Sequence, residues 1–149
     1  MKKPQNYRDE LVPLVGKWGV TITNMLWMED KQAELTGTAN ISWTDLNLLR
    51  YVQVMDGGEV PDSISVIGYD HLMEKMDMLY TDERDVCRIY QMSVEGNTWK
   101  YWREGEPFNQ RFEGKISEEG RKITAYAEKL PKETGEWERD FDIIFTKAS

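Results

Sequence analysis

Cysteine is nearly absent from this chain. Cys87 is the single one in 149 residues, so no internal disulfide can form, and the usage fits a reducing compartment. Histidine is equally scarce, with His71 alone. One histidine and one cysteine cannot supply the three or four nitrogen and sulfur ligands of a zinc site, so no metal is expected. No stretch approaches the roughly 18 apolar residues that span a bilayer as a helix. Bases are outnumbered, 19 against 27 acids, for a net charge of −8. Such a chain repels phosphate backbones and anionic membrane surfaces, so neither nucleic acid nor membrane is an expected partner. There is no glycine-rich phosphate loop, and nothing calls for a cofactor. The basic start Met1-Lys2-Lys3 leads into no apolar stretch, which is not a signal-peptide pattern and predicts a cytoplasmic protein.

What the chain does have is aromatics and alternation. Six Trp, seven Tyr and four Phe favour strands and bury large areas each. Trp18, Val20 and Ile22 share one face of a first strand. Leu35, Gly37, Ala39, Ile41 and Trp43 share one face of a second, a period of two. Further strands are predicted at 48–55, 63–69, 75–81, 86–95, 98–104, 110–117, 122–129 and 136–147. Gly96-Asn97 reads as a tight hairpin turn. Gly57-Gly58, Glu119-Gly120 and Gly135 mark other turns. Before the strands, 7–14 reads as a short helix, with Leu11, Leu14 and Val15 on one side, suited to plugging one end of a barrel. No connection is long enough for a crossover helix, so the sheet is antiparallel. About ten strands in sequence must close or fold over. The predicted fold is an all-β, closed, up-and-down barrel in one domain, 1–149, with a short N-terminal helix.

Gly16-Lys17-Trp18 resembles the glycine-x-tryptophan opening of calycins, the lipocalin-like barrels. Such barrels often set an arginine from the last strand over the tryptophan, and Arg139 is the residue so placed here. The wider resemblance is to an uncharacterised bacterial family of lipocalin-like barrels, a domain of unknown function. It runs along nearly the whole chain. It rests on Leu14-Val15-Gly16-Lys17-Trp18, Pro61-Asp62-Ser63-Ile64-Ser65-Val66-Ile67-Gly68, Arg88-Ile89-Tyr90-Gln91-Met92-Ser93, Trp99-Lys100-Tyr101-Trp102-Arg103, Gln110-Arg111-Phe112-Glu113-Gly114 and Trp137-Glu138-Arg139-Asp140-Phe141-Asp142. The resemblance implies the calycin-like barrel and brings no established activity or catalytic residues. More distantly the chain is similar to nitrobindin-like and fatty-acid-binding barrels. Nitrobindin-like barrels hold haem through a histidine, and His71 stands in a turn-like stretch that departs from that pattern.

Alternation assigns an interior. Tyr51, Met76, Met78, Tyr90, Met92, Tyr101 and Phe141 are expected to line a cavity, and Gln53, Arg88 and Arg103 to give it polarity. An interior arginine needs a partner, because an unpaired buried charge is costly. A ligand carboxylate would serve, and so would an acidic loop residue. The other reading places Arg88 and Arg103 at strand ends, reaching water. Gly16, Trp18 and Arg139 are structural candidates. Arg111 is expected outside, opposite in facing to Phe112 and Gly114. Glu136, Glu138, Asp140 and Asp142 read as a solvated outer face. The 26–33 segment is the longest loop, with Trp27 either exposed to solvent or a lid over the mouth.

These residues suit a protein that binds a small, mainly apolar ligand, with a carboxylate as an option. A small enzyme of isomerase, cyclase or hydrolase type using Tyr, Arg and Asp is the rival, but no two acid–base groups have a spacing that implies cooperation. No catalytic residue is named. A third reading is an interaction module, with copies paired as a homodimer through a strand edge or the Trp27 loop.

Overall fold

Lys17 exposed, Trp18 buried, Gly19 half-covered, Val20 buried: the alternation seen in the sequence is the alternation of burial in β1 (Gly16–Thr23), and it sets the pattern for the molecule. The computed structural model describes residues 4–148, with side chains from Tyr7 onward. After β1 come β2 (Leu35–Trp43), β3 (Leu49–Met55), β4 (Ser63–Asp70), β5 (Lys75–Asp82) and β6 (Cys87–Glu95). They are followed by β7 (Thr98–Arg103), β8 (Phe108–Ile116), β9 (Lys122–Pro131) and β10 (Glu138–Lys147). Every strand pairs antiparallel with its neighbours in sequence, and β10 returns to pair with β1, closing a barrel of ten strands. Trp18 stands opposite Lys147, and Thr23 opposite Asp142. The described strands therefore leave no free edge, which removes the edge-to-edge route to a homodimer.

One end of the barrel is plugged. The helix α1 (Pro4–Leu11) runs into a single 3-10 turn, Val12–Leu14, which Pro13 favours by its fixed φ. Leu11 and Leu14 are fully buried. Tyr7 donates its hydroxyl to the Ile67 carbonyl at 3.1 Å and stacks on Tyr69 at 5.3 Å. Burial pushes that phenol up to about 12, against the opposite pull of Arg8. The indole N–H of Trp18 donates to the Leu14 carbonyl at 3.0 Å, tying the plug to β1. No helix among the described residues is long and apolar enough to cross a membrane.

The expected stack of Arg139 on Trp18 is corrected by the structure. Arg139 is on the outer face, with its guanidinium 4.2 Å from the Tyr126 ring and an ion pair to Asp142. The cation over Trp18 is Lys147, 5.3 Å from the ring. The register explains the exchange: Lys147 is the residue of β10 opposite Trp18, and Arg139 belongs to the far end of the strand. Gly16 makes room for this lysine. Its φ is +147°, and a Cβ there would meet Lys147 Cε at 2.8 Å.

Gly37 marks a close approach of β2 and β3. A Cβ at this position would stand 2.3 Å from the Val54 carbonyl oxygen and 2.9 Å from the Met55 Cα. Both are backbone atoms, so β2 and β3 would have to move apart. Gly37→Ala should therefore destabilise the barrel by about 1–3 kcal/mol, in spite of the higher strand entropy of glycine. The midpoint of urea unfolding reads this directly, and an unchanged midpoint would contradict the packing described.

Candidate functional site

The barrel interior has two halves. Toward α1 it is solid. Trp18, Trp99 and Phe145 are at most 1% exposed, and Trp99 lies 4.8 Å from Phe112 and 5.8 Å from Phe145, ring centre to ring centre. Toward the opposite end it opens into a cavity of about 470 Å³, a volume typical of sites for small molecules. The loops 24–34 and 56–62 frame its mouth through Trp27, Glu59, Val60 and Pro61, with Arg84 beyond β5. Trp27 is half-exposed and packs edge-on against Phe141 at 6.2 Å. Of its two sequence readings, the structure favours the one at the mouth.

Register explains the division. On β5, Met76, Met78 and Tyr80 all face inward, at increasing distance from the plug. Met76 pairs with Met92 across the ladder, and both are buried in the solid half. Met78 and Tyr80 reach the cavity wall. Of the nine expected ligand-binding residues, Tyr51, Gln53, Met78, Arg88, Tyr90 and Tyr101 form this wall, and so does Phe141. Met76, Met92 and Arg103 do not. Arg103 is turned to the loop after β7, donating to the carbonyls of Phe108 and Glu106, both at 3.3 Å.

Two polar groupings stand out on the wall. The first is built on β6 and β8, whose side chains meet inside across β7. The Gln110 side-chain oxygen accepts from the Tyr90 hydroxyl at 2.9 Å and from an Arg88 guanidinium nitrogen at 3.5 Å. The second lies on β3 and β4. Here the Tyr51 hydroxyl donates to the Gln53 side-chain oxygen at 2.5 Å, and among the described residues Gln53 Nε2 has only the Met55 sulfur, at 3.5 Å. Ser63 and Ser65 continue this patch. Facing them, Ile22, Ile143 and Phe141 supply an apolar wall.

The phenols are held as donors. Burial raises Tyr51 well above its ordinary range, and Tyr80 adds to this. Burial also raises Tyr101, with Tyr51 and Tyr90 reinforcing it. Tyr90 is raised by burial against the pull of Arg88 and Arg103. Protonated phenols donate hydrogen bonds and do not take protons near neutrality. At the rim, Asp82 has no exposed side-chain surface. Burial pushes its carboxyl upward, but hydrogen bonds from Arg84 and Tyr80 win and hold it at about 2. That triad fastens the β5–β6 turn.

Asp140 corrects the expectation of an acidic outer face. The ladder between β10 and β9 slips between Arg139 and Phe141, so Asp140 is the extra residue of a β-bulge. The bulge turns its carboxylate into the mouth of the cavity, while Asp142 stays outside with Arg139. Burial raises the Asp140 carboxyl above its usual range, against the charges of Lys129 and Arg88. Strand parity marks the other residues that sequence reading passed over. Gln110 shares parity with Phe112, Lys129 with Ala127, and Tyr80 with Met78.

Arg111 lies outside as expected, bonded to Glu128 at 2.7 Å and stacked 3.8 Å from the Trp137 ring. His71, the chain's only histidine, is exposed in the turn after β4, at the plugged end and away from the cavity. A haem held through histidine, as in nitrobindin-like barrels, would have no ligand in this cavity. Among the described residues no three of His, Cys, Asp and Glu converge as a metal site requires. Comparison with protein-family models gives no match, and no curated protein matches the chain, so the reading of this site rests on its own geometry.

Proposed function

We propose that this chain is a lipocalin-like, calycin-type binding protein whose open half takes up a small, mainly apolar molecule carrying one carboxylate. The observation that carries the reading is Arg88. Its guanidinium is on the cavity wall, where it reaches the Gln110 amide oxygen at 3.5 Å and acts on the neighbouring Tyr90 hydroxyl. A half-buried cation with so long a hydrogen bond, and with Asp140 as the nearby protein carboxylate, has capacity left for the carboxylate of a ligand. Gln110 and Tyr90 orient the guanidinium, with the Tyr90 hydroxyl donating to the Gln110 oxygen. Ile22, Met78, Phe112 and Ile143 give the apolar body its surface. Cavity size and the solid, plugged half limit the ligand to one small molecule.

Native mass spectrometry of freshly purified protein tests for a co-purifying acid. Thermal shift with three probes of one chain length tests the charge. Decanoate should raise the melting temperature saturably, decanol less, and decylamine not at all. Equal shifts with decanoate and decylamine would overturn the reading.

Asp140 gives the site a pH dependence. When ionised it competes with a ligand carboxylate for Arg88. As pH falls through its raised pKa the competitor becomes neutral and opposes a ligand carboxylate less. This relief ends where the ligand's own carboxylate protonates, below about pH 5. The sign for stability is the same: a carboxyl raised in the folded state favours folding as pH falls through its titration. Asp140→Asn should tighten decanoate binding at pH 7 by roughly tenfold and remove whatever part of the pH profile comes from titration of this carboxyl. Calorimetric titration at several pH values checks this, and an unchanged profile would exclude Asp140 as the competitor.

A further inference from the structure

The cavity carries more hydrogen-bonding capacity than one carboxylate can use, and the surplus lies on β3, β4 and β7. Tyr51, Ser65, Tyr80 and Arg88 are directly opposite one another on β3, β4, β5 and β6, forming one rung across four strands. Ser65 is 2% exposed and on the cavity wall, yet its hydroxyl has no hydrogen-bond partner among the described residues. The Tyr101 hydroxyl, also on the wall, is likewise without one. Beside Ser65, Tyr51 and Gln53 use each other and leave Gln53 Nε2 on a sulfur, a weak acceptor. Neither the Ser65 nor the Tyr101 hydroxyl is sealed from solvent as Trp99 Nε1 is, so each keeps its hydrogen-bonding capacity free toward the cavity. Those on this wall are aimed at the space a ligand would fill.

Resting on the carboxylate reading above, we infer that the ligand has a second polar group, a hydroxyl or carbonyl, at the end away from its carboxylate. Ser65 and Tyr101 would bond it while Arg88 holds the acid. Ser65 and Arg88 are two strands apart on the same rung, roughly 10 Å between their Cα atoms along the wall. Their side chains converge inward, so the two polar ends of the ligand stand somewhat closer than that. An apolar spacer of this length, held against Phe112, Phe141 and Tyr90, suits a flat ring better than a flexible chain, because a rigid body loses less freedom on binding. The class is a hydroxylated aromatic acid.

The probes are cinnamate and 4-hydroxycinnamate, which differ by one hydroxyl. Calorimetric titration of the wild type should give about tenfold tighter binding for the hydroxylated acid, the effect of one good hydrogen bond. The Ser65→Ala, Tyr101→Phe double variant keeps the shape of the wall and removes no bond within the protein. In it the ratio of the two affinities should fall to near unity, and a cooperative thermal unfolding transition like that of the wild type shows that the barrel is intact. Equal affinities in the wild type, or a preference that survives the double variant, would overturn this inference and leave the carboxylate reading standing. Failure of both acids to bind the wild type would overturn the two together.

Discussion

Arg88→Met lowers decanoate affinity by about 10- to 100-fold and leaves decanol affinity nearly unchanged. The estimate follows from the loss of charge-assisted hydrogen bonds, about 1.5–3 kcal/mol. The barrel itself should be no less stable. Arg88 has one long bond, to Gln110, and lies 6.0 Å from the Phe108 ring. Arg88 is half-buried and its hydrogen bond is long, so an apolar chain of similar length, which keeps the packing of its stem, should cost the barrel little. The Gln110 oxygen keeps Tyr90 as its donor at 2.9 Å, so no acceptor is orphaned. Titration calorimetry gives both affinities, and thermal unfolding gives the stability. A parallel loss of decanoate and decanol would mean that Arg88 shapes the cavity and does not read charge. A drop in melting temperature would mean that its role is structural.

Trp99→Ala should produce the largest loss of stability of any single truncation, about 3–5 kcal/mol. Trp99 has no exposed surface and touches four rings, those of Tyr51, Tyr101, Phe112 and Phe145. Two of these, Phe112 and Tyr101, stack on each other at 4.3 Å, so the space left by the indole cannot collapse without disturbing the cavity floor. For a chain of this length the loss corresponds to a fall in melting temperature of roughly 10 °C or more. Trp99 Nε1 is the one side-chain nitrogen or oxygen among the described residues that is both sealed from solvent and without a partner. The contribution of this tryptophan is therefore burial and ring contact, and Trp99→Phe should recover much of what Trp99→Ala loses. If the two variants unfold alike, the floor is not packed as described.

The barrel was legible because closure leaves its mark along the whole chain. β2 shows nine alternating residues, and Gly96-Asn97 sets a hairpin between two such runs. Each strand reports its own inner face without knowledge of its neighbours. Depth is different. Met76 and Met78 have the same chemistry and the same parity, but one is in the solid half and the other on the cavity wall. Their height along the barrel axis follows from the stagger of ten strands, which alternation does not encode. The same limit produced the Trp18–Arg139 error, because the partner of Trp18 is set by where β10 ends.

Two further features were hidden for other reasons. On β4 the usual contrast is reversed: Ile64 is 45% exposed while Ser65 is 2% exposed. An interior built around a polar-sided cavity asks for serine inside and tolerates isoleucine outside, so hydrophobicity alone misreads it. Asp140 is turned inward by a bulge. Nothing in Arg139-Asp140-Phe141 distinguishes an extra ladder residue from a regular one, and only the slipped pairing with β9 reveals it.

The most direct trial of an acid-binding hollow is the position of a bound acid. Decanoate labelled with carbon-13 can be followed by nuclear Overhauser contacts in solution. Contacts from its terminal methyl to the methyl groups of Ile22, Met78 and Ile143, with its first methylene near Arg88 and Tyr90, are the expected result. Contacts confined to outward-facing Leu46, Leu72 or Ile89, or none at saturating decanoate, would mean that the hollow is not where this protein takes up an acid.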